Sequence, residues 1–224
     1  MKKYLVISAT VAGFLLLSCQ KNSPITGSDR EVISETAITT SCGQLRTQSP
    51  GGWGSTPEGN NPGTYLHANF ANAFPWSLMI GCRDGNTITL TSAQAITNLL
   101  PTGGKPAVLG ATSIDPVGIK NTLVGHVVSL TLSVGFDAYD QNFGSSPVLL
   151  GDMLIGSGPF AQMTVSQFLQ IANDVIGGCC HDYSVNDIII TASQINSNYL
   201  DGTVDLGFLK CPDDGGPRRI AEQR

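Results

Sequence analysis

The sequence predicts a helix-rich α+β domain with about four helices, a short β-hairpin and a long entry loop rich in Gly, Asn and Pro. Three segments combine capping signals with apolar residues at helical spacing. Asp84-Gly85 lies between two short apolar runs, which is a hairpin pattern. The stretch from Gln48 to Gly63 is rich in Gly, Asn and Pro, which is typical of a loop. Because 41% of the 224 residues are hydrophobic and only 13% are charged, the chain can form one sizeable core. A disordered acidic chain, a collagen and a coiled coil are excluded.

Three helices are predicted from polar residues that are followed three positions later by a capping-box partner. The pairs are Thr91 with Gln94, Thr164 with Gln167, and Ser184 with Asp187. Met163 and Phe168 occupy the positions of a hydrophobic staple around the second start. The first helix should end at Leu100 because Pro101 follows it, and the second at Gly177-Gly178. In the third, helical spacing of apolar residues continues as far as Tyr199.

The stretch from Leu123 to Phe136 is ambiguous. Its first apolar residues have helical spacing, whereas those from Val128 onward alternate like a strand. The length favours a buried helix and the β-branched content favours a strand, so the residues alone leave both open.

The entry loop, from Gln48 to Gly63, is predicted to be irregular rather than helical. Aromatic residues occur in this loop and in its continuation, and we expect them to pin a long loop onto the core. They are Trp53, Tyr65, Phe70, Phe74 and Trp76. Three of them, Trp53, Tyr65 and Trp76, are candidate ligand-contacting residues.

The N-terminus has the pattern of a secretory signal. Lys2 and Lys3 precede an apolar run from Tyr4 to Leu17, which is shorter than the roughly 20 residues that a spanning helix needs. The string Leu16-Leu17-Ser18-Cys19 resembles the lipobox of bacterial lipoproteins. This resemblance implies cleavage before Cys19, a diacylglycerol on the Cys19 sulfur, and attachment to the membrane through that lipid.

The chain is therefore divided into four parts. Residues 1–18 are a lipoprotein signal peptide, and residues 19–41 are a flexible tether because they lack periodic apolar spacing. Residues 42–212 form a single globular domain. Residues 213–224, which begin with Asp213-Asp214-Gly215-Gly216-Pro217, are a disordered tail.

Part of the domain resembles a group of uncharacterised secreted and lipoprotein domains of the Bacteroidota type. The segment from Thr47 to Gly54 resembles the Thr-Gln-Gly-x-Trp opening of that group, although Ser49 stands where the group has Gly. The segment from Leu123 to Val134 resembles a helix of the group, although His126 replaces the usual Gln. The resemblance implies a helix over the ambiguous stretch and a location at the cell surface or envelope, and it implies no catalytic residue.

The remaining cysteines are candidates for disulfides because the protein is expected to be exported. They are Cys42, Cys82, Cys179, Cys180 and Cys211. We expect two disulfides and one leftover thiol, with distant partners for Cys179 and Cys180. A zinc site at Cys179, Cys180, His181 and Asp182 is the alternative, but it lacks a second ligand pair at the usual spacing.

Other chemical patterns are weaker. Asp137, Asp140 and Asn142 do not have the spacing of a helix-loop-helix calcium site, and no metal or cofactor is predicted. Gly156-Ser157-Gly158 is not a nucleophile elbow. Between Gln44 and Pro212, five basic residues stand against eleven acidic ones, which disfavours nucleic-acid binding.

The sequence therefore predicts a non-enzymatic lipoprotein of the cell envelope, anchored in the outer membrane on its periplasmic or surface side. Its role would be structural or adhesive, toward glycans or proteins of the envelope or the surroundings. The alternative is a small extracytoplasmic hydrolase of polysaccharide or peptide that uses Asp and His residues. A pocket lined by Asp and His would favour the hydrolase, and exposed aromatic residues would favour binding.

Overall fold

A computed structural model describes residues 42–212 of the chain. The predictions on the signal peptide, Cys19, the tether and the tail lie outside these residues. The described part is helix-rich α+β, as predicted. Its helices are α1 Pro50–Trp53, α2 Pro62–Ala73, α3 Ala93–Leu99, α4 Thr122–Tyr139, α5 Val165–Gly177 and α6 Val185–Ser197, with a 3-10 turn at Leu150–Asp152. Its strands are β1 Leu78–Gly81, β2 Thr87–Leu90, β3 Ser113–Ile114, β4 Leu154–Ile155 and β5 Leu209–Lys210.

Helix α4 is the centre of the fold, and the ambiguous stretch is therefore helical. Eleven of its 18 residues are buried, because α1, α2, α5, α6 and β1 all pack against it. A helix covered on most sides is apolar all round, which is why its periodicity did not separate helix from strand. At Gly135 a Cβ atom would lie 2.4 Å from the Phe74 ring, so glycine permits this close contact. Among the described residues, no helix is both long and apolar enough to span a bilayer.

The predicted hairpin is confirmed. Strands β1 and β2 pair antiparallel, with Leu78 opposite Leu90 and Ile80 opposite Ile88, and these four side chains are buried in the core. Strand β3 adds to β2 in parallel, while β4 and β5 form a separate antiparallel pair. Helix α5 covers β1 on its core side.

Two of the three predicted capping boxes are confirmed. Thr164 accepts a hydrogen bond from the Gln167 N–H, and the Gln167 side chain accepts one from the Thr164 N–H. Ser184 and Asp187 form the same reciprocal pair at the start of α6. Helix α6 ends at Ser197, so the prediction that Tyr199 continues it is wrong. Tyr199 has a φ of 63° and its hydroxyl donates to Asp205 at 3.0 Å.

The third predicted cap was placed one residue too early. Ser92, not Thr91, caps α3 and accepts a hydrogen bond from the Ala95 N–H. Thr91 is bound instead to Asp115, which accepts from its backbone N–H at 2.8 Å and from its hydroxyl at 2.6 Å. This contact from the segment after β3 keeps Thr91 outside the helix, and the sequence around Thr91 carries no sign of it.

The prediction of an irregular loop from Gln48 to Gly63 is wrong at two places. Helix α1 Pro50–Trp53, which Ser49 caps, lies inside it. The end of the predicted loop is the start of α2, where Pro62 is the first helical residue and Asn61 accepts a hydrogen bond from the Thr64 N–H at 2.8 Å. Asn followed by Pro is a strong helix start, and its Asn-Pro-Gly setting hid it among turn residues. Tyr65 and Phe70 therefore lie on a helix rather than on a loop.

Disulfides stabilise the fold at two places. Cys42–Cys211 joins the two ends of the described chain, and Cys82–Cys179 ties the hairpin to the end of α5. The prediction of distant partners is thus confirmed for Cys179. None of the five cysteines in residues 42–212 is free, so the expected leftover thiol is not found there. Cys180 itself is buried in the core.

Candidate functional site

The candidate site is built around the extended segment from Leu45 to Gln48, which leads into α1. Thr47 is fully buried, and its hydroxyl contacts the carbonyl oxygens of Asn196 at 2.9 Å and Asn198 at 2.7 Å. Successive side chains of an extended segment point to opposite sides. Thr47 faces the end of α6, and Arg46 and Gln48 both line a cleft on the surface.

Trp53 and Gln48 are held by one residue of α4. The Oγ of Ser133 accepts hydrogen bonds from the Gln48 backbone N–H at 3.3 Å and from the Trp53 indole N–H at 3.4 Å. Trp53 is fully buried and stacks on Phe143, with ring centroids 5.9 Å apart and an interplanar angle of 12°. The indole thus forms part of a rigid frame rather than an exposed platform.

This frame bounds a cleft of about 260 Å³, here called the Gln48 cleft. Three aromatic rings line it: Trp53, Tyr65 and Phe143. The other lining residues are Arg46, Gln48, Asn60, Asn61, Pro62 and Thr64. The lining therefore contains one positive charge and no acidic side chain.

The Gln48 side chain is the most unusual feature of the cleft. The residue is only 2% exposed, yet within residues 42–212 its amide has no hydrogen-bond partner. The amide lies beside Gly52, where a Cβ atom would come within 3.1 Å of Oε1. Buried polar groups are nearly always hydrogen-bonded, by protein or by solvent. The Gln48 amide lines the cleft and lacks a protein partner in the described chain, and it is not among the fully buried unpartnered atoms, so it is available to solvent or to a ligand.

Arg46 is the second polar group without a full set of partners. Its Cζ lies 5.6 Å from the centroid of the Phe143 ring, and its Nε is buried with no hydrogen-bond partner among the described residues. A neighbouring cleft of about 320 Å³ shares Arg46 and Phe143 with the first and contains Asp201. Arg46 therefore lies between the two clefts.

Tyr65 is fixed by a carboxylate. Its hydroxyl donates to Asp140 Oδ2 at 2.8 Å, and Asp140 Oδ1 accepts from the Asn142 N–H at 2.8 Å. Burial, followed by the hydrogen bond to Asp140, raises the pKa of Tyr65 well above its usual value. The phenol is therefore neutral at physiological pH, and it supports the cleft wall rather than acting as a base.

Trp76, the third predicted aromatic, lies elsewhere. It is 93% exposed and follows α2, beside a cleft of about 470 Å³ that also contains His67, Thr89 and Thr91. Ser77, directly after it, has a φ of 106°. Trp53 and Tyr65 thus come together, with ring centroids 6.5 Å apart, whereas Trp76 belongs to a different surface.

Within residues 42–212 the structure does not bring the zinc and calcium candidates together as metal sites. Cys179 is bonded to Cys82, so its sulfur is not available to zinc. Asp137 is buried and accepts from the Leu150 N–H at 2.7 Å. No group of three or more His, Cys, Asp or Glu side chains suited to a metal occurs in residues 42–212. His126 is largely buried, and burial lowers its pKa.

Acidic residues and histidines also lie apart in the clefts. The cleft with His67 has no acidic side chain in its lining. A cleft of about 450 Å³ beside the Cys82–Cys179 disulfide contains Asp84 and Asp174 but no histidine. Neither cleft therefore offers a carboxylate and an imidazole together.

Sequence reasoning singled out Trp53 and Tyr65 but missed Arg46, Gln48 and Phe143. Phe143 joins the site from the turn after α4, nearly a hundred residues after Arg46, and no local pattern indicates that contact. For Gln48 a signal existed, because the alternation from Leu45 to Gln48 places Arg46 and Gln48 on one side. Four residues are too few for that alternation to stand out.

Comparisons with known proteins add no further constraint. No protein-family model matches the chain, and no curated protein and no solved structure is significantly similar to it.

Proposed function

We propose that this protein is a lipid-anchored protein of the cell envelope, held in the outer membrane through Cys19, whose domain binds a glycan in the Gln48 cleft. Its role is structural or adhesive rather than catalytic. The anchor is supported by the Leu16-Leu17-Ser18-Cys19 string, whose lipobox pattern places the acyl chains on the residue that follows the cut. Two or three acyl chains anchor far more firmly than one.

The observation that carries the binding proposal is the Gln48 amide, which lines the cleft and has no hydrogen-bond partner in the described chain. An amide offers both a donor and an acceptor, which matches the paired roles of sugar hydroxyls. Asn60 adds a second amide at the same cleft. The adjoining aromatic rings provide the apolar wall that ligand sites usually have.

Binding is favoured over hydrolysis by the composition of the cleft. Hydrolysis of a glycosidic bond usually needs two carboxylic groups, and the lining of the Gln48 cleft contains none. Asp140, which lies behind the lining residue Tyr65, is engaged by the Tyr65 hydroxyl and the Asn142 N–H. Because the Tyr65 phenol is neutral at physiological pH, it does not act as a general base.

The test of this proposal is a glycan array probed with the full chain in mild detergent, followed by turnover assays on every glycan that binds. Gln48→Ala should lower affinity for the hits by about 3- to 10-fold, the value of one neutral hydrogen bond. Gln194→Ala is the matched control, since Gln194 is exposed on α6, and it should leave binding unchanged. Binding only to envelope proteins, turnover of a hit, or equal losses in both variants would contradict the proposal.

The anchor is tested separately. Cys19→Ala should release the protein from the membrane fraction, and mass spectrometry of the wild type should show the acyl mass on the residue after the cut. If the variant stays in the membrane fraction and the wild type carries no acyl mass, the anchor assignment is wrong.

A further inference from the structure

We infer that the sugar residue bound in the Gln48 cleft carries a carboxylate, and that Arg46 holds it. This inference rests on the proposed glycan binding and adds the chemical class of the ligand. The ligand class is thus a glycan that contains uronic acid or another carboxylated sugar.

The first argument is the charge of the cleft. Residues 42–212 carry eleven acidic and five basic side chains, so most of the surface repels anions. The lining of the Gln48 cleft has the opposite balance, with Arg46 as its single charge. Charges on the surface beyond about 8–10 Å are largely screened at physiological ionic strength. Asp140 lies behind Tyr65 and is engaged by its hydroxyl, so Arg46 is the charged group that a ligand in the cleft can contact directly.

The second argument is the state of Arg46. The residue lines the cleft, and its Cζ lies 5.6 Å from the centroid of the Phe143 ring. Its Nε is buried without a partner in the described chain, so the two terminal Nη groups are the donors that a ligand in the cleft can reach. The planar guanidinium can donate two parallel hydrogen bonds to a carboxylate through these two groups. Asp140 does not supply this carboxylate, because it is bound by Tyr65 and Asn142. Asp201 lies in the neighbouring cleft rather than in the Gln48 cleft.

The third argument separates a carboxylate from a phosphate. A phosphate is usually bound by several cations or by a row of free backbone N–H groups. The start of α2 lines this cleft, but Ser55 Oγ and Asn61 Oδ1 already accept from its Gly63 and Thr64 N–H groups. The cleft therefore supplies one cation and neutral amides. A single negative charge matches that set. The volume of about 260 Å³ lies just under the 300–1,000 Å³ range of small-molecule pockets. The cleft is therefore sized for one sugar residue of a longer chain.

The experiment compares each acidic glycan with its own neutral form. The probes are oligogalacturonate, oligomannuronate and a glucuronate-containing oligosaccharide, each before and after reduction of its carboxyl groups to alcohols. Affinity is measured by calorimetry with the full chain in mild detergent. At least one acidic probe should bind, and its reduced form should bind about 10- to 100-fold more weakly, the range for a hydrogen bond to a charged group.

The variants assign the effect to Arg46. Arg46→Gln should cause the same loss toward the acidic probe and no loss toward the reduced form, whereas Arg46→Lys should cause a smaller loss because it keeps the charge. Arg83→Gln removes an equal charge from the exposed turn between β1 and β2 and should have no effect. Thermal melting verifies folding. If Arg46→Gln is unfolded, the inference is tested by the affinity of Arg46→Lys and by the difference between the wild-type affinities for the acidic probe and for its reduced form.

The possible results separate a failure of the carboxylate inference from a failure of the proposed glycan binding. Equal affinity for the acidic and reduced forms, with both lowered by Gln48→Ala, would overturn the carboxylate and leave glycan binding in place. Equal losses in Arg46→Gln and Arg83→Gln would overturn the role of Arg46. Absence of binding to all acidic probes would also overturn the inference, while the glycan array decides the proposed function independently.

Discussion

Two serines of α4 are expected to respond oppositely to alanine substitution, with a loss of folding stability at Ser133 and no loss at Ser129. Ser129 and Ser133 are one turn apart and both are fully buried. Ser133 accepts hydrogen bonds from the Gln48 backbone and from the Trp53 indole. The hydroxyl of Ser129 has no partner in the described chain. Alanine at each position therefore removes the same atom from two very different environments.

For Ser133→Ala, two buried donors lose their acceptor. An unsatisfied buried donor costs about 1–3 kcal/mol, and the lower end applies here because the distances of 3.3 and 3.4 Å exceed the usual 2.9–3.0 Å. The higher helix propensity of alanine returns about 0.5 kcal/mol. The expected net loss is about 1.5 kcal/mol. At about 2–4 °C per kcal/mol for a domain of this size, the melting temperature should fall by about 3–6 °C.

For Ser129→Ala, no hydrogen bond is lost and an unpartnered hydroxyl is removed from the core. Stability should be unchanged or higher by about 0.5–1.5 kcal/mol. Urea titrations and thermal melts of both variants measure the difference directly, and the gain in helix propensity cancels between them. Equal destabilisation by the two substitutions, or a larger loss for Ser129→Ala, would refute the assignment of Ser133 as the residue that holds the cleft segment.

Three further predictions concern stability away from the cleft. Thr164→Ala removes a confirmed cap of α5 and should cost about 1 kcal/mol, or about 2–4 °C in melting temperature, with glycan binding unchanged; lost binding at unchanged stability would contradict it. Replacing Cys82 and Cys179 together by Ser should cost about 2–5 kcal/mol in urea unfolding, and a loss below 1 kcal/mol would show that the hairpin is held without the disulfide. Burial raises the pKa of Tyr199 to about 12. Because the folded state then favours the protonated phenol, stability should be constant below pH 10 and fall between about pH 10 and 12, and Tyr199→Phe should reduce that fall when unfolding is followed against pH.

The elements that were predicted well have signals that lie within a few residues of one another. The boxes at Thr164 and Ser184 join atoms three residues apart, and the hairpin depends on the turn at Asp84-Gly85. These contacts are local, so propensity and spacing contain them. The start of α3 failed for the opposite reason, since a contact with Asp115, 24 residues away, decides between Thr91 and Ser92.

The candidate site was less predictable than the fold. Trp53 and Tyr65 were noticed because they are aromatic residues in a stretch rich in Gly and Pro, and both line the cleft. The polar groups that give the cleft its chemistry are the Gln48 amide and the Arg46 guanidinium. They were identified because they lack hydrogen-bond partners in the described chain. Missing hydrogen bonds are a property of the packed structure, so no sequence pattern records them.

The most direct test of the central claim follows the side-chain amide of Gln48 by nuclear magnetic resonance. Its NH₂ signals are assigned by their disappearance in Gln48→Ala, and the full chain in mild detergent is titrated with a glycan that binds on the array. The Gln48 amide signals and the Trp53 indole signal should shift on binding, while the Gln194 amide and the Trp76 indole stay in place. Shifts at Trp76 with unchanged signals at Gln48 would place the ligand on the other surface and contradict the account.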